Sequence, residues 1–279
     1  MPDRRLTRIF RRGSRTYFFS SVAFPPALRD DVFALYAFVR TADNFVDQPP
    51  GRQDAAGFDR FRERYGSAAA GSADGDPVID SFVELAVRKR FRVEWVEAFL
   101  DAMAQDLQQT DYPTVDDTVA YMYGSAEVIG LMMAAIMELP EEAYAPARML
   151  GRAMQYINFI RDIAEDLELG RTYLPATELA AAGLRSLDPE EAHRDAPAFR
   201  RFVRAEIDRY LGWQRAADAG FHFIPRRPRV AIRTASDMYR WTADRIRADP
   251  LVVYRRKVRP SAARILATIA ASALGGGRR

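Results

Sequence analysis

The chain has 279 residues, 48% of them hydrophobic, enough for a sizeable core, and carries a formal net charge of +3. It has no cysteine, which excludes a disulfide scaffold and thiol chemistry and fits a reducing compartment. Two histidines, His193 and His222, argue against a His-rich zinc or iron site, and a helical di-iron bundle would need two Glu-x-x-His pairs where the chain has one such spacing, Glu190/His193; any metal would be a hard cation on oxygen ligands.

Along the chain the periodicity is helical nearly throughout. The start is basic (Arg4, Arg5, Arg8, Arg11, Arg12), and Arg8 with Arg11 and Arg12 interrupts any apolar signal-peptide core. Over residues 27–46, Leu28, Val32, Leu35, Val39, Ala42 and Val46 recur at steps of three and four; Pro25-Pro26 precede this helix and Pro49-Pro50-Gly51 end it. Tyr36, Arg40, Asp43 and Asp47 form a second, polar stripe on it. A solvated stripe would mix Lys and Glu; an aromatic, an arginine and two short acids suggest a helix set between core and polar cavity. Residues 58–65 predict a short amphipathic helix, 66–76 a surface loop, and 78–90, 95–108 and 115–139 three more helices, the last capped at Pro113-Thr114. Gly124 and Gly130 cost that helix roughly 1 kcal/mol each relative to Ala; close approach of a bound chain or a neighbouring helix would account for them.

A long helix is expected after Pro140, ending near Gly170, followed by helices over 195–220 and 229–247. Arg226, Arg227, Arg229, Arg255, Arg256, Lys257 and Arg259 crowd the end, and residues 265–274, mildly apolar, read as a frayed C-terminal helix, with a helix lying on a membrane surface as the alternative. The apolar stretches fall short of the roughly 20 residues of a bilayer span. Basic clusters suit lipid headgroups or a diphosphate; nucleic acid is set aside because the aromatics do not interleave with them. With no alternating strand, repeat or linker, the expectation is one all-α domain over residues 1–279.

The second acidic helix is richer than the first. Asn158, Asp162 and Asp166 form an i, i+4, i+8 column beside Gln155, Arg161 and Glu165, with Tyr156, Ile160, Ile163 and Leu167 on the opposite side. Carboxylates four apart destabilise a bare helix by roughly 0.2–0.5 kcal/mol per pair. Two such pairs, Asp43/Asp47 and Asp162/Asp166, suggest something positive between them. Mg²⁺ favours a few carboxylates plus phosphate oxygens and water, so the arrangement suits ionisation of an allylic diphosphate inside an apolar, aromatic-lined cavity.

Four segments carry a resemblance: Ser14-Arg15-Thr16-Tyr17; Ala34-Leu35-Tyr36-Ala37-Phe38-Val39-Arg40 running into the first acidic pair; Tyr121-Met122-Tyr123-Gly124-Ser125-Ala126 with Gly130-Leu131-Met132-Met133; and residues 155–175, ending in Gly170-Arg171-Thr172-Tyr173-Leu174-Pro175. In this order they resemble the squalene/phytoene synthase family of head-to-head prenyl transferases, nearest to its phytoene synthases. The resemblance implies a single helical bundle around a central cavity, of the class I isoprenoid synthase type. It implies Mg²⁺, with Mn²⁺ as a substitute, on Asp43, Asp47, Asn158, Asp162 and Asp166. Ser14, Arg15 and Thr16 would close over diphosphate, and Tyr36, Arg40, Gln155, Arg161 and Tyr239 would contact diphosphate or the reacting carbons. Asn44 stands where a second aspartate often occurs.

The implied reaction ionises one prenyl diphosphate, adds the second across its C2–C3 double bond to give a cyclopropylcarbinyl diphosphate, and rearranges that to a 1–1′ linked product. Phytoene needs only proton loss at the end, whereas squalene synthases add hydride from NADPH. The wording around Tyr121–Glu127 and the small Ser20 and Ser21 favour geranylgeranyl diphosphate and phytoene, without NADPH. A squalene or dehydrosqualene synthase using farnesyl diphosphate is the alternative. A non-catalytic assembly factor is a third reading, against which the intact acidic columns argue. The expected enzyme is a cytoplasmic monomer with peripheral membrane contact.

Overall fold

Helical periodicity is realised along the whole chain: among the described residues of a computed structural model, 4–13, 15–49 and 51–275, there is no strand, and one isolated β-bridge joins Asp111 to Thr172. Helices α1 (Arg4–Gly13) and α2 (Arg15–Ser20) lead to α3 (Pro26–Val46), whose opening proline fits a first turn that needs no N–H donor. Asp54 accepts from the Gly57 N–H to cap α4 (Ala55–Ala69). This helix runs through Gly66 and Ser67, so the loop expected from residue 66 begins later. The intervening alanines favour helix enough to carry it on. Asp76 caps α5 (Pro77–Arg88), and α6 (Val93–Gln105) follows. A reciprocal Thr114–Asp117 capping box starts α7 (Val115–Met122). A π-helical turn, Tyr123–Glu127, joins it to α8 (Val128–Ile136).

The long helix expected after Pro140 is instead two. α9 (Tyr144–Arg161) and α10 (Ile163–Glu168) meet at a bend on Asp162, φ −101° and ψ 14°. The Asp162 and Asp166 N–H groups still donate to Asn158 and Asp162 carbonyls, each at 2.8 Å, so the i, i+4, i+8 column survives the bend. Two short helices absent from the sequence reading, α11 (Ala176–Ala181) and α12 (Pro189–Arg194), precede α13 (Ala196–Asp218) and α14 (Arg226–Ala248). A single turn, α15 (Val252–Arg255), and the terminal α16 (Ala262–Gly275) complete the chain.

The buried residues form one connected core. Phe38 of α3 stacks on Phe82 of α5 with ring centroids 3.8 Å apart, and the opposite face of α3 is free to line a hollow. α9 runs between α8, α13 and α14. The continuous stretch Val115–Ile136 is long and apolar enough to cross a membrane by length and composition, contrary to the expectation from the sequence; 61% of its most apolar 18-residue window is buried here, as in a core helix.

Glycines let this core close. A Cβ on Gly124 would stand 2.3 Å from the Ala98 carbonyl oxygen of α6, and one on Gly130 2.3 Å from that of Ala147 in α9. Helix–helix approach therefore explains both. Gly124→Ala should destabilise the fold by a net of about 1–2 kcal/mol, because pushing against a backbone carbonyl outweighs the better helix propensity of alanine. Urea denaturation checks this, and an unchanged midpoint would refute it.

Candidate functional site

One cavity, of ≈ 580 Å³, gathers the predicted residues. Tyr36, Arg40 and Asp43 line it from α3 and Asp47 from the residue that ends it; Gln155, Asn158 and Arg161 line it from α9, Asp162 from the bend and Asp166 from α10; Tyr239 lines it from α14. Of the sequence-derived set, Ser14 and the side chains of Arg15 and Thr16 lie outside the described residues. Away from the acids the wall turns apolar, with Met103, Met133, Met137, Leu150, Met154 and Met238. Methionine adapts to irregular apolar shapes, which suits a long flexible hydrocarbon. Ser20 is buried and lines this wall, whereas the Ser21 hydroxyl is spent on the Phe18 carbonyl at 2.7 Å.

The two columns face each other electrostatically. Burial, then the Asp47 carboxylate, pushes the Asp43 carboxyl well above the usual range. Burial, then Asp162 and Asp47, does the same to Asp166, so the end of the first column reaches the end of the second. Asp162 goes the other way. Burial alone would raise it, but Arg161 and Lys257 hold its carboxyl below the usual range. Arg40 Nη1 lies 3.9 Å from Asp43 and 3.7 Å from Asp47. The Tyr36 phenol is raised by burial and stays protonated at any physiological pH.

Several functional groups escaped the sequence reading. Asp106, just beyond α6, is buried and accepts from the Tyr121 hydroxyl at 2.7 Å and the Tyr173 hydroxyl at 3.0 Å. Burial raises its carboxyl to about 6 against the lowering pull of Arg171 and both tyrosines. Its register was a usable signal: Phe99, Met103 and Asp106 follow steps of four and three on a buried face. Arg171 is almost wholly buried and donates to the Val46 carbonyl (2.6 Å), the Asp106 carbonyl (3.0 Å), the Tyr173 hydroxyl (3.1 Å) and Asp47 Oδ1 (3.3 Å). It thus pins the end of α3 and orients Asp47. The Asp111–Thr172 bridge, with the Thr172 N–H on the Thr110 carbonyl at 2.7 Å, brings Arg171 and Tyr173 there. Arg259 also lines the cavity, from the basic run whose place in the fold the sequence left open.

The donor set fits a hard divalent cation. It offers oxygens only, the buried Asn158 Oδ1 has no hydrogen-bond partner, and Asp43 and Asp166 sit short of positive charge. As they stand, among the described residues, no three acids or histidines converge tightly enough to hold an ion. Arg40, Arg171, Arg161 and Lys257 draw Asp43, Asp47 and Asp162 instead.

Comparison with known proteins agrees with this geometry. The profile described as Squalene/phytoene synthase matches residues 10–264. The chain is 33% identical over 254 residues to a phytoene synthase of Pseudescherichia vulneris, covering 87% of this chain and 81% of that one. It is 30% identical to a 15-cis-phytoene synthase of Paracoccus sp. (strain N81106 / MBIC 01143), covering 92% and 86%. A ligand-bound dehydrosqualene synthase shares the fold with TM-score 0.85 at 20% identity, covering 98% of this chain and 95% of that one. A squalene synthase from Alicyclobacillus acidocaldarius does so with TM-score 0.78 at 24%, covering 89% and 93%.

Proposed function

The chain belongs to the squalene/phytoene synthase family, and on that premise we propose that it joins two molecules of geranylgeranyl diphosphate head to head to give phytoene. The observation that carries this is one cavity lined by both acidic columns and by several methionines, in a chain whose 30–33% identical relatives are phytoene synthases.

Asp43, Asp47, Asn158, Asp162 and Asp166 would hold Mg²⁺ or Mn²⁺. When bound, the metal supplies neutralisation of the leaving diphosphate, the largest catalytic contribution open to this site. Arg40 and Arg161 add fixed positive charge against the same oxygens. The protonated Tyr36 keeps an O–H to donate. Tyr239 and Gln155 border the reacting carbons, and the apolar wall keeps water from the allylic cation. The first ionisation releases one diphosphate, and addition of the second substrate's C2–C3 double bond to the allylic C1 cation, with loss of one proton, gives a cyclopropylcarbinyl diphosphate; the second ionisation releases its diphosphate, and rearrangement with loss of a second proton gives the 1–1′ product, with no hydride donor needed. Ser14, Arg15 and Thr16 close over the diphosphate in this reading. The enzyme works as a cytoplasmic monomer with peripheral membrane contact, which suits its hydrocarbon product.

Product identity tests the proposal. Purified protein with Mg²⁺ and either the C15 or the C20 diphosphate, with and without NADPH, is expected to release a C40 hydrocarbon from the C20 substrate without NADPH. A product formed only from the C15 substrate, by mass spectrometry, would overturn it.

A further inference from the structure

Lys257 sits on the irregular segment between α15 and α16, and its ammonium lies 3.0 Å from Asp162 Oδ1 while also pairing with Glu165 Oε2. The same Oδ1 accepts from Arg161 Nε at 2.8 Å, and Arg161 also pairs with Oδ2. Both oxygens of Asp162 are thus engaged by cations, whereas the neighbouring Asn158 Oδ1, one turn earlier, has no partner. The two cations on Asp162 are not equivalent. Arg161 is adjacent in sequence and grips as a planar fork, while lysine is a point charge on a flexible stem. Glu165, half-exposed and outside the proposed ligand set, gives that stem a second seat.

We infer that Lys257 is a stand-in cation: it holds Asp162 while no metal is present and passes to Glu165 when a divalent ion takes its place on Oδ1. The inference rests on the metal reading above and makes Lys257 a positioning residue that acts through Asp162. It keeps a buried carboxylate paired before loading, and it makes the ion compete for its ligand.

The test is direct Mn²⁺ binding to the full chain, by electron paramagnetic resonance of free Mn²⁺, with and without inorganic pyrophosphate. Lys257→Gln is expected to bind Mn²⁺ about tenfold tighter than the parent, the scale of one close charge removed from a partly buried site. Arg256→Gln, which removes an equal charge from the next, exposed position, should stay within about twofold at an ionic strength of about 0.15 M. Unchanged or weaker binding in Lys257→Gln, or equal tightening in both variants, would overturn the inference while leaving the metal reading intact. A parent chain that binds no Mn²⁺ even with pyrophosphate would remove the metal reading and the inference together. Should Lys257→Gln melt early, Glu165→Gln reads the exchange from the other side. Depriving Lys257 of its second seat should weaken Mn²⁺ binding by about threefold, and unchanged binding would count against the exchange.

Discussion

Asp43→Ala is expected to lower turnover by about 10²–10³-fold or more, the scale set by losing one preorganised contributor to leaving-group charge. The same variant should melt no earlier than the parent, and by about 1–3 °C later. The two effects have opposite signs for one reason. Asp43 is buried beside the Asp47 carboxylate, and both features disfavour its charge in the metal-free fold. An ionised Asp43 is therefore a local liability in the metal-free fold that the chain retains for binding. Its side chain faces the cavity, so truncation leaves no void in packed core. Steady-state assay with the C20 diphosphate and thermal melting by circular dichroism check both halves. Parent-like turnover would refute the metal role, and early melting would refute the electrostatic argument.

Arg171→Met should be the most damaging single change to the fold, costing about 3–5 kcal/mol in urea denaturation. The guanidinium is 2% exposed and faces Asp47, Asp106 and the carbonyls of Val46 and residue 106. Removing it takes the one buried cation from the Asp106 carboxylate and a charged donor from the Val46 and Asp106 carbonyls, which keep only the longer contacts from Gln53 Nε2 and, for Val46, the Gln48 N–H. Adding Asp106→Leu to Arg171→Met should recover part of the loss, because the stranded charge goes too. Strict additivity of the two substitutions would show that the groups do not act as a unit. Asp47 would lose its orienting partner in both backgrounds, so neither should regain activity even where stability returns.

The local physics of helices made much of this legible beforehand. The i, i+3, i+4 pattern of Leu28, Val32, Leu35 and Val39 placed α3, and the polar stripe put Tyr36, Arg40, Asp43 and Asp47 on a cavity wall; yet Val32, Leu35 and Val39 line that same cavity beside the polar stripe, and the side of α3 that packs on the core carries Ala34, Ala37 and Phe38. The Asn158–Asp162–Asp166 column did the same for the second wall. Where the reading went astray, the deciding forces were weak or distant. Gly66 and Ser67 read as loop because neither favours helix, yet α4 carries through them. The bend at Asp162 leaves no mark in the pattern, because the backbone hydrogen bonds on both sides persist. Arg171 and Lys257 read as members of a motif and of a basic run. Their partners lie 124 positions back at Asp47 and 95 positions back at Asp162, and only the closing of the bundle brings them together. Asp106 stayed hidden because a single acid at the end of an amphipathic helix usually meets solvent.

The central claim is that divalent ions bridge the two acidic columns to a diphosphate, and crystals grown with Mn²⁺ and a thiolo analogue of geranylgeranyl diphosphate test it most directly. Anomalous scattering is expected to show Mn²⁺ between the Asp43/Asp47 carboxylates and the Asn158/Asp162/Asp166 column, each ion also touching diphosphate oxygens. A diphosphate held by Arg40, Arg161 and Lys257 alone, with no anomalous peak at either column, would contradict it.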